Sequence, residues 1–175
     1  MPDPRELTHC REGGCADLER VYDRYGRGML NYARALLGSP DDAEDAVQEV
    51  FVRLARNTGA LNRIGDLRKY LFRATRNEVY ELLRGKMRRE RLEDGVVQNL
   101  QESPPEAPNP EVAAILEGFS KLPSEQREVI ALKVFEGLTF REIGRIIGKS
   151  QNTAASRYRY AIERLRQAAG SDDDG

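Results

Sequence analysis

An interruption constrains this fold more than any other feature. From Asp94 to Pro110 the chain reads DGVVQNLQESPPEAPNP, with four prolines, several acids and no basic residue. Proline fixes φ and removes a backbone donor, so such a run propagates neither a helix nor a sheet ladder. It reads as a partly extended linker. On both sides of it apolar residues recur at three- and four-residue spacing, without the alternation of a strand. The expected fold is therefore all-α: two small helical domains joined by a Pro-rich acidic linker, the second a helix-turn-helix domain. The expected boundaries are a disordered leader at 1–15, a first domain at 16–93, the linker at 94–111, a second domain at 112–168 and an acidic tail at 169–175.

In the first domain, Leu18, Val21, Tyr22, Tyr25, Met29, Tyr32, Ala33 and Leu36 form one helical stripe that Gly38 ends. Ser39 follows as a cap, with Pro40 at the first helical position and Asp41, Asp42 and Glu44 in the first turn. The next helix turns Ala43, Ala46, Val47, Val50, Phe51 and Leu54 inward and Glu44, Asp45, Gln48 and Glu49 outward. After a glycine-containing loop, a third helix runs from about Asp66 to Arg84, with Leu67, Tyr70, Leu71, Ala74, Val79, Leu82 and Leu83 inward. Past Gly85 lies the basic cluster KMRRER, into which this helix can extend. In the second domain Val112, Ile115, Leu116, Phe119 and Leu122 mark one helix. Pro123 and Ser124 start another, through Val129, Ile130, Leu132 and Phe135, which Gly137 closes.

A net charge of −1 conceals segregation. Between Arg63 and Arg91, ten basic residues face only Asp66, Glu78, Glu81 and Glu90; a second basic run holds Arg141, Arg145, Lys149, Arg157, Arg159, Arg164 and Arg166. Acid collects at Asp41–Glu49, in the linker and at Asp172–Asp174. Such asymmetry predicts two nucleic-acid-facing surfaces, with acidic parts that meet something else. No apolar stretch approaches the roughly 18–20 residues that span a bilayer, and no export signal opens the chain, so a cytoplasmic location without membrane insertion is expected. His9, Cys10 and Cys15 lie close together, but tetrahedral structural zinc wants four ligands and the chain has one histidine. Neither metal nor cofactor is expected; the alternative, a metal or redox role for that trio, stays open. One histidine, no Gly-rich phosphate loop and no clustered carboxylates also argue against an enzyme.

The segment TFREIGRIIGKSQNTAASRYRYAIERLR has the layout of a helix-turn-helix. Thr139 with Glu142 three residues on makes a capping box. Gly148-Lys149-Ser150 makes the turn, and Gly144 supplies a small residue where two helices cross. A recognition helix enters the major groove N-terminus first, so its opening residues must be short or polar. Ser150, Gln151, Asn152, Thr153, Ser156 and Arg157 meet that need. Gln and Asn can pair with adenine and Arg with guanine, each worth about 1–3 kcal/mol of discrimination. Arg159 and Arg164 are placed for phosphates. The bland alternative is a helical hairpin with a solvated basic face.

DDAEDAVQEVFVRL followed by LRKYLFRATRNEVYELLR resembles the second conserved region of RNA polymerase sigma factors, and LPSEQREVIALKVFEGLTFREIGRIIGKSQNTAASRYRYAIERLR resembles their fourth. Two such regions joined by a short linker resemble the extracytoplasmic-function (ECF) group. The resemblance implies an alternative sigma factor that binds core RNA polymerase and directs promoter recognition and melting. It implies that Asp45, Gln48 and Glu49 face the clamp helices of the largest subunit, with Val47 and Phe51 buried behind them. It further implies that Asn62, Arg68, Lys69, Tyr70, Arg73, Arg76, Asn77 and Arg84 serve the −10 element, where single-strand capture uses a positive groove and a stacking or polar pocket. Ser150, Gln151, Asn152, Thr153, Ser156, Arg157 and Arg159 would bind the −35 element. Leu67, Tyr70 and Ala154 depart from residues common in the family at those positions. The implied partners are core polymerase through its clamp helices and flap, promoter DNA and an anti-sigma factor, with the free protein a monomer.

A coil of about 18 residues spans roughly 25 Å, whereas promoter elements more than one turn apart are separated by more than about 34 Å. The linker must therefore stretch on a promoter, and full extension reaches about 60 Å. Two other readings fit the same residues: a stand-alone helix-turn-helix regulator, and a sigma mimic that titrates an anti-sigma factor.

Overall fold

The computed structural model describes residues 14–56, 64–92 and 110–170, and every regular element in them is an α-helix. His9, Cys10, Asn62, residues 94–109 of the expected linker and residues 171–175 of the expected tail lie outside the described residues. The helices are α1 (Gly14–Leu37), α2 (Pro40–Arg56), α3 (Leu67–Leu92), α4 (Pro110–Lys121), α5 (Ser124–Val134), α6 (Phe140–Ile147) and α7 (Gln151–Gly170).

Local chemistry sets the helix starts. Ser39 Oγ accepts from Asp42 N at 3.3 Å, Asp66 Oδ1 from Lys69 N at 3.0 Å and Ser150 Oγ from Thr153 N at 3.0 Å. Each satisfies a backbone donor that the first helical turn leaves free. At α6 the Thr139–Glu142 capping box is complete in both directions. Gly148 ends α6 at φ 69, the left-handed conformation that a side chain disfavours. Gly85 does not end α3, which runs on to Leu92; with no tertiary neighbour within 4 Å of its Cβ position, it is an ordinary helical glycine.

α1, α2 and α3 pack on one another, and α7 packs across α4, α5 and α6. The first body buries Met29, Tyr32, Leu36, Val47, Leu54, Leu71, Phe72 and Val79. In the second, Val129, Leu132, Ile143, Ile146, Ile147 and Ala154 are buried, with a smaller group at Leu122, Ile130 and Ala161. The two bodies also dock, α1 against α5 and α3 against α6, so their cores join in a single buried cluster.

Several residues of the expected inward stripes stay outside. Val112, Ile115 and Phe135 are exposed because α4 lies against α7 and Phe135 caps the end of α5 where the chain turns. Tyr22 is 49% exposed and meets Phe51 edge-on at 5.2 Å, leaving Phe51 half-buried rather than buried.

Candidate nucleic-acid interface

α2 presents an acidic ridge whose members differ in what they touch. The Asp42 carboxylate takes a hydrogen bond from Lys86, which holds it below the usual carboxylate range. Glu44 pairs with Arg34 at 2.9 Å and Glu49 with Arg53 at 3.0 Å. Arg53 also reaches the buried Glu78 at 2.6 Å and so ties α2 to α3. Asp45 and Gln48 are exposed and have no side-chain partner among the described residues. Of the three residues expected to face polymerase, these two are free for a basic partner, whereas Glu49 is already engaged.

α3 divides the expected −10 residues between two faces. Lys69, Tyr70, Arg73 and Asn77 line a cavity of about 570 Å³ with Val50, Arg53, Ile64, Gly65, Asp66 and Ala74. Among the described residues the side chains of these four make no hydrogen bond or ion pair. Tyr70 is 40% exposed although the spacing predicts it inward, because it borders this opening instead of the core. Two unpaired cations, an aromatic ring and an amide around one concavity can hold an unstacked base beside its phosphates. Arg84 sits apart, paired with Glu81 at 2.6 Å on the exposed far half of the helix.

Arg68 and Arg76 lie on the other face, one helical stripe with Phe72 and Tyr80, turned toward the second body. Arg76 Nε donates to Glu128 Oε1 at 2.7 Å, and Arg68 donates to the Glu136 carbonyl and to its carboxylate. Glu128 also accepts from the Tyr32 hydroxyl at 2.8 Å and from Tyr80 at 3.3 Å. Burial, and then the adjacent Glu128 carboxylate, push both tyrosine hydroxyls above their usual range. Burial likewise raises the Glu136 carboxyl, against the pull of Arg68.

In the helix-turn-helix, a Cβ on Gly144 would lie 2.8 Å from the Lys149 carbonyl oxygen, so only glycine lets the turn fold back this closely. The expected −35 residues also divide. Ser150 and Thr153 bond each other at 2.9 Å in the cap of α7, and Ser156 Oγ donates back to the Thr153 carbonyl at 3.0 Å. Arg157 pairs with Glu125 of α5 at 3.1 Å. Gln151, Asn152 and Arg159 point outward, and Asn152 and Arg159 border a shallow depression with Ala155. Ala154 is fully buried, on the inward face.

Sequence reasoning missed Glu128 and Glu136. A signal for Glu128 was present: it directly precedes Val129–Leu132, four consecutive apolar residues on α5. An α-helix apolar all round is covered on more than one side, and α5 is indeed covered by α7 and α1.

Residues 21–89 match the family described as Sigma-70 region 2, and residues 118–167 that described as Sigma-70, region 4. The ECF RNA polymerase sigma factor ShbA of Streptomyces griseus is 31% identical over 157 residues, covering 80% of this chain and 81% of ShbA. The ECF RNA polymerase sigma factor BldN of Streptomyces coelicolor is 26% identical over 174 residues, covering 95% of this chain; the chain spans 66% of that longer relative. Among solved structures, the sigma factor RpoE in complex with the anti-sigma factor NepR from Bartonella quintana superposes with a TM-score of 0.74 at 24% identity, covering 89% of this chain and 98% of that one. That likeness is one of fold. The chain belongs to the ECF RNA polymerase sigma factors.

Proposed function

We propose that this chain is an alternative sigma factor that binds core RNA polymerase and directs promoter recognition and melting. The observation that carries the reading is the cavity lined by unpaired Lys69, Tyr70, Arg73 and Asn77 on α3, on the same body as the free Asp45 and Gln48 of α2. An acidic, polar ridge suits a basic partner surface such as the polymerase clamp helices, and the cavity suits a captured −10 base. Gln151 and Asn152 would then read the −35 element, with Arg159 on its phosphates. Residues 16–93 and 112–168 act as the two promoter-reading domains. The protein works by binding rather than catalysis, as a monomer in the cytoplasm; no helix among the described residues is long and apolar enough to cross a membrane. An anti-sigma factor is proposed as a further partner, since the RpoE structure is a complex with one.

Transcription with purified core polymerase on a randomised-promoter library tests this reading, comparing the wild type with Asp45→Arg/Gln48→Ala. Defined start sites with the wild type and none with the variant support it. A protein that selects a DNA sequence alone and never engages polymerase is a stand-alone regulator.

A further inference from the structure

Glu128 is fully buried yet takes its hydrogen bonds from the other helical body: Arg76, Tyr32 and Tyr80 all lie on α1 or α3. At the edge of the same contact, Glu136 reaches Arg68. We propose that Glu128 and Glu136 form an intramolecular latch, which holds the second body on the Arg68–Arg76 stripe in a closed resting state and withholds both arginines from an anionic polymer backbone. The identity of that polymer as promoter DNA rests on the sigma-factor reading; the latch itself does not.

Three observations converge on it. The bodies touch through bonds of 2.7–2.8 Å, and in that contact Arg68 and Arg76 spend their hydrogen bonds on the second body. Full extension of the intervening residues reaches about 60 Å, so the chain length allows the bodies to part. A buried ion pair is also suited to reversal. Its desolvation cost offsets most of its attraction, so it fixes register more than it stabilises. On opening, Glu128 recovers water and each guanidinium gains phosphates as partners.

The third observation is Gly28, in the interior of α1, where glycine is unfavourable. A Cβ there would lie 2.2 Å from Glu136 Oε1. The glycine makes room for the latch carboxylate, at the expense of helix propensity.

The test uses the full chain without polymerase, in three variants. Glu128→Gln/Glu136→Gln removes both latch charges. Gly28→Ala displaces Glu136 without changing charge, at a position where alanine favours the helix. Glu117→Gln/Glu163→Gln makes the same charge change at exposed sites. Small-angle scattering reads the radius of gyration, and fluorescence anisotropy reads binding to duplex DNA with an unpaired A/T-rich bubble. The latch predicts that the first two variants expand and bind the DNA more tightly, the double variant by about tenfold, as when a competent fraction of about one in ten becomes dominant. The Glu117/Glu163 control should do neither. Unchanged dimensions in both latch variants overturn the proposal, as does expansion without tighter binding, or equal tightening in the control. A wild type inert with core polymerase, alongside latch variants that expand and bind, sinks the sigma-factor reading and leaves the latch standing.

Discussion

Gly144 on α6 faces the carbonyl oxygen of Lys149 across the turn, with 2.8 Å between that oxygen and the position a Cβ would take. The neighbour is backbone and cannot swing away. Gly144→Ala should therefore destabilise the second body by about 1–3 kcal/mol, the range for overpacking, despite the gain of about 1 kcal/mol in helix propensity. Gly85→Ala, with open space around it in α3, should show that propensity gain alone. Urea melts of the two variants should move in opposite directions; a stabilised Gly144→Ala would mean that the turn relaxes.

Thr139 donates to Glu142 through its backbone N at 2.7 Å and through Oγ1 at 2.6 Å. The side-chain bond, followed by the backbone one, lowers the Glu142 carboxyl from its usual 4.5. A carboxyl held lower in the folded state stabilises it above the unfolded value, and loses that contribution as pH falls through the folded one. Thr139→Ala should cost about 1 kcal/mol at neutral pH. Repeating the melts below pH 4 should show a smaller difference; an undiminished one would place the cost outside the capping box.

Tyr32 behaves in the opposite sense. Burial and then Glu128 push its hydroxyl well above 10.0, so the folded state keeps the proton more tightly than the unfolded chain. This contribution is intact below about pH 10 and is lost as pH rises through the folded value. Tyr32→Phe should cost about 1.5–3 kcal/mol, the range for a hydrogen bond to a charged group. It should also flatten the alkaline decline. Tyrosine absorbance during base titration would show one late-ionising phenol missing; an unaltered profile would count against the bond.

Residues on α3 and α7, the two elements proposed to face DNA, should separate by the kind of loss. Asn152→Ala should relax selection at one base pair by about 1–3 kcal/mol, and Arg73→Ala should weaken opening of every promoter while leaving −35 preference unchanged. Arg157→Ala should lower affinity evenly, since its partner Glu125 anchors α7 to α5. Selection from a randomised −35 library, with permanganate mapping of the opened bubble, distinguishes these outcomes. A single-position specificity change in Arg157→Ala would return that residue to base reading.

Much of the secondary structure was legible because its causes are local. The caps at Ser39 and Thr139, the left-handed Gly148 and the inward Ala154 follow from residues within a few positions of each other. The site was legible as residue types, not as geometry. Sequence order lists Arg68, Lys69, Tyr70, Arg73, Arg76 and Asn77 together. The 3.6-residue turn sends Arg68 and Arg76 toward the second body and Tyr70, Arg73 and Asn77 to the adjoining opening, with Lys69 bordering both. Ser150, Thr153 and Ser156 read as short polar groups suited to bases, and the folded helix spends them on its own start.

By itself, then, the sequence determined the helices, the turn built on Gly144 and Gly148 and, by resemblance, two regions of sigma-factor type. The helices and the turn rest on propensity, capping and apolar period, which act over one or two turns. Only the tertiary structure decided which charges are free. Glu128 is an ordinary acid in the sequence until docking buries it against Arg76, Tyr32 and Tyr80, 52, 96 and 48 positions away. No periodic pattern encodes a contact of that range, because it depends on how two finished bodies meet.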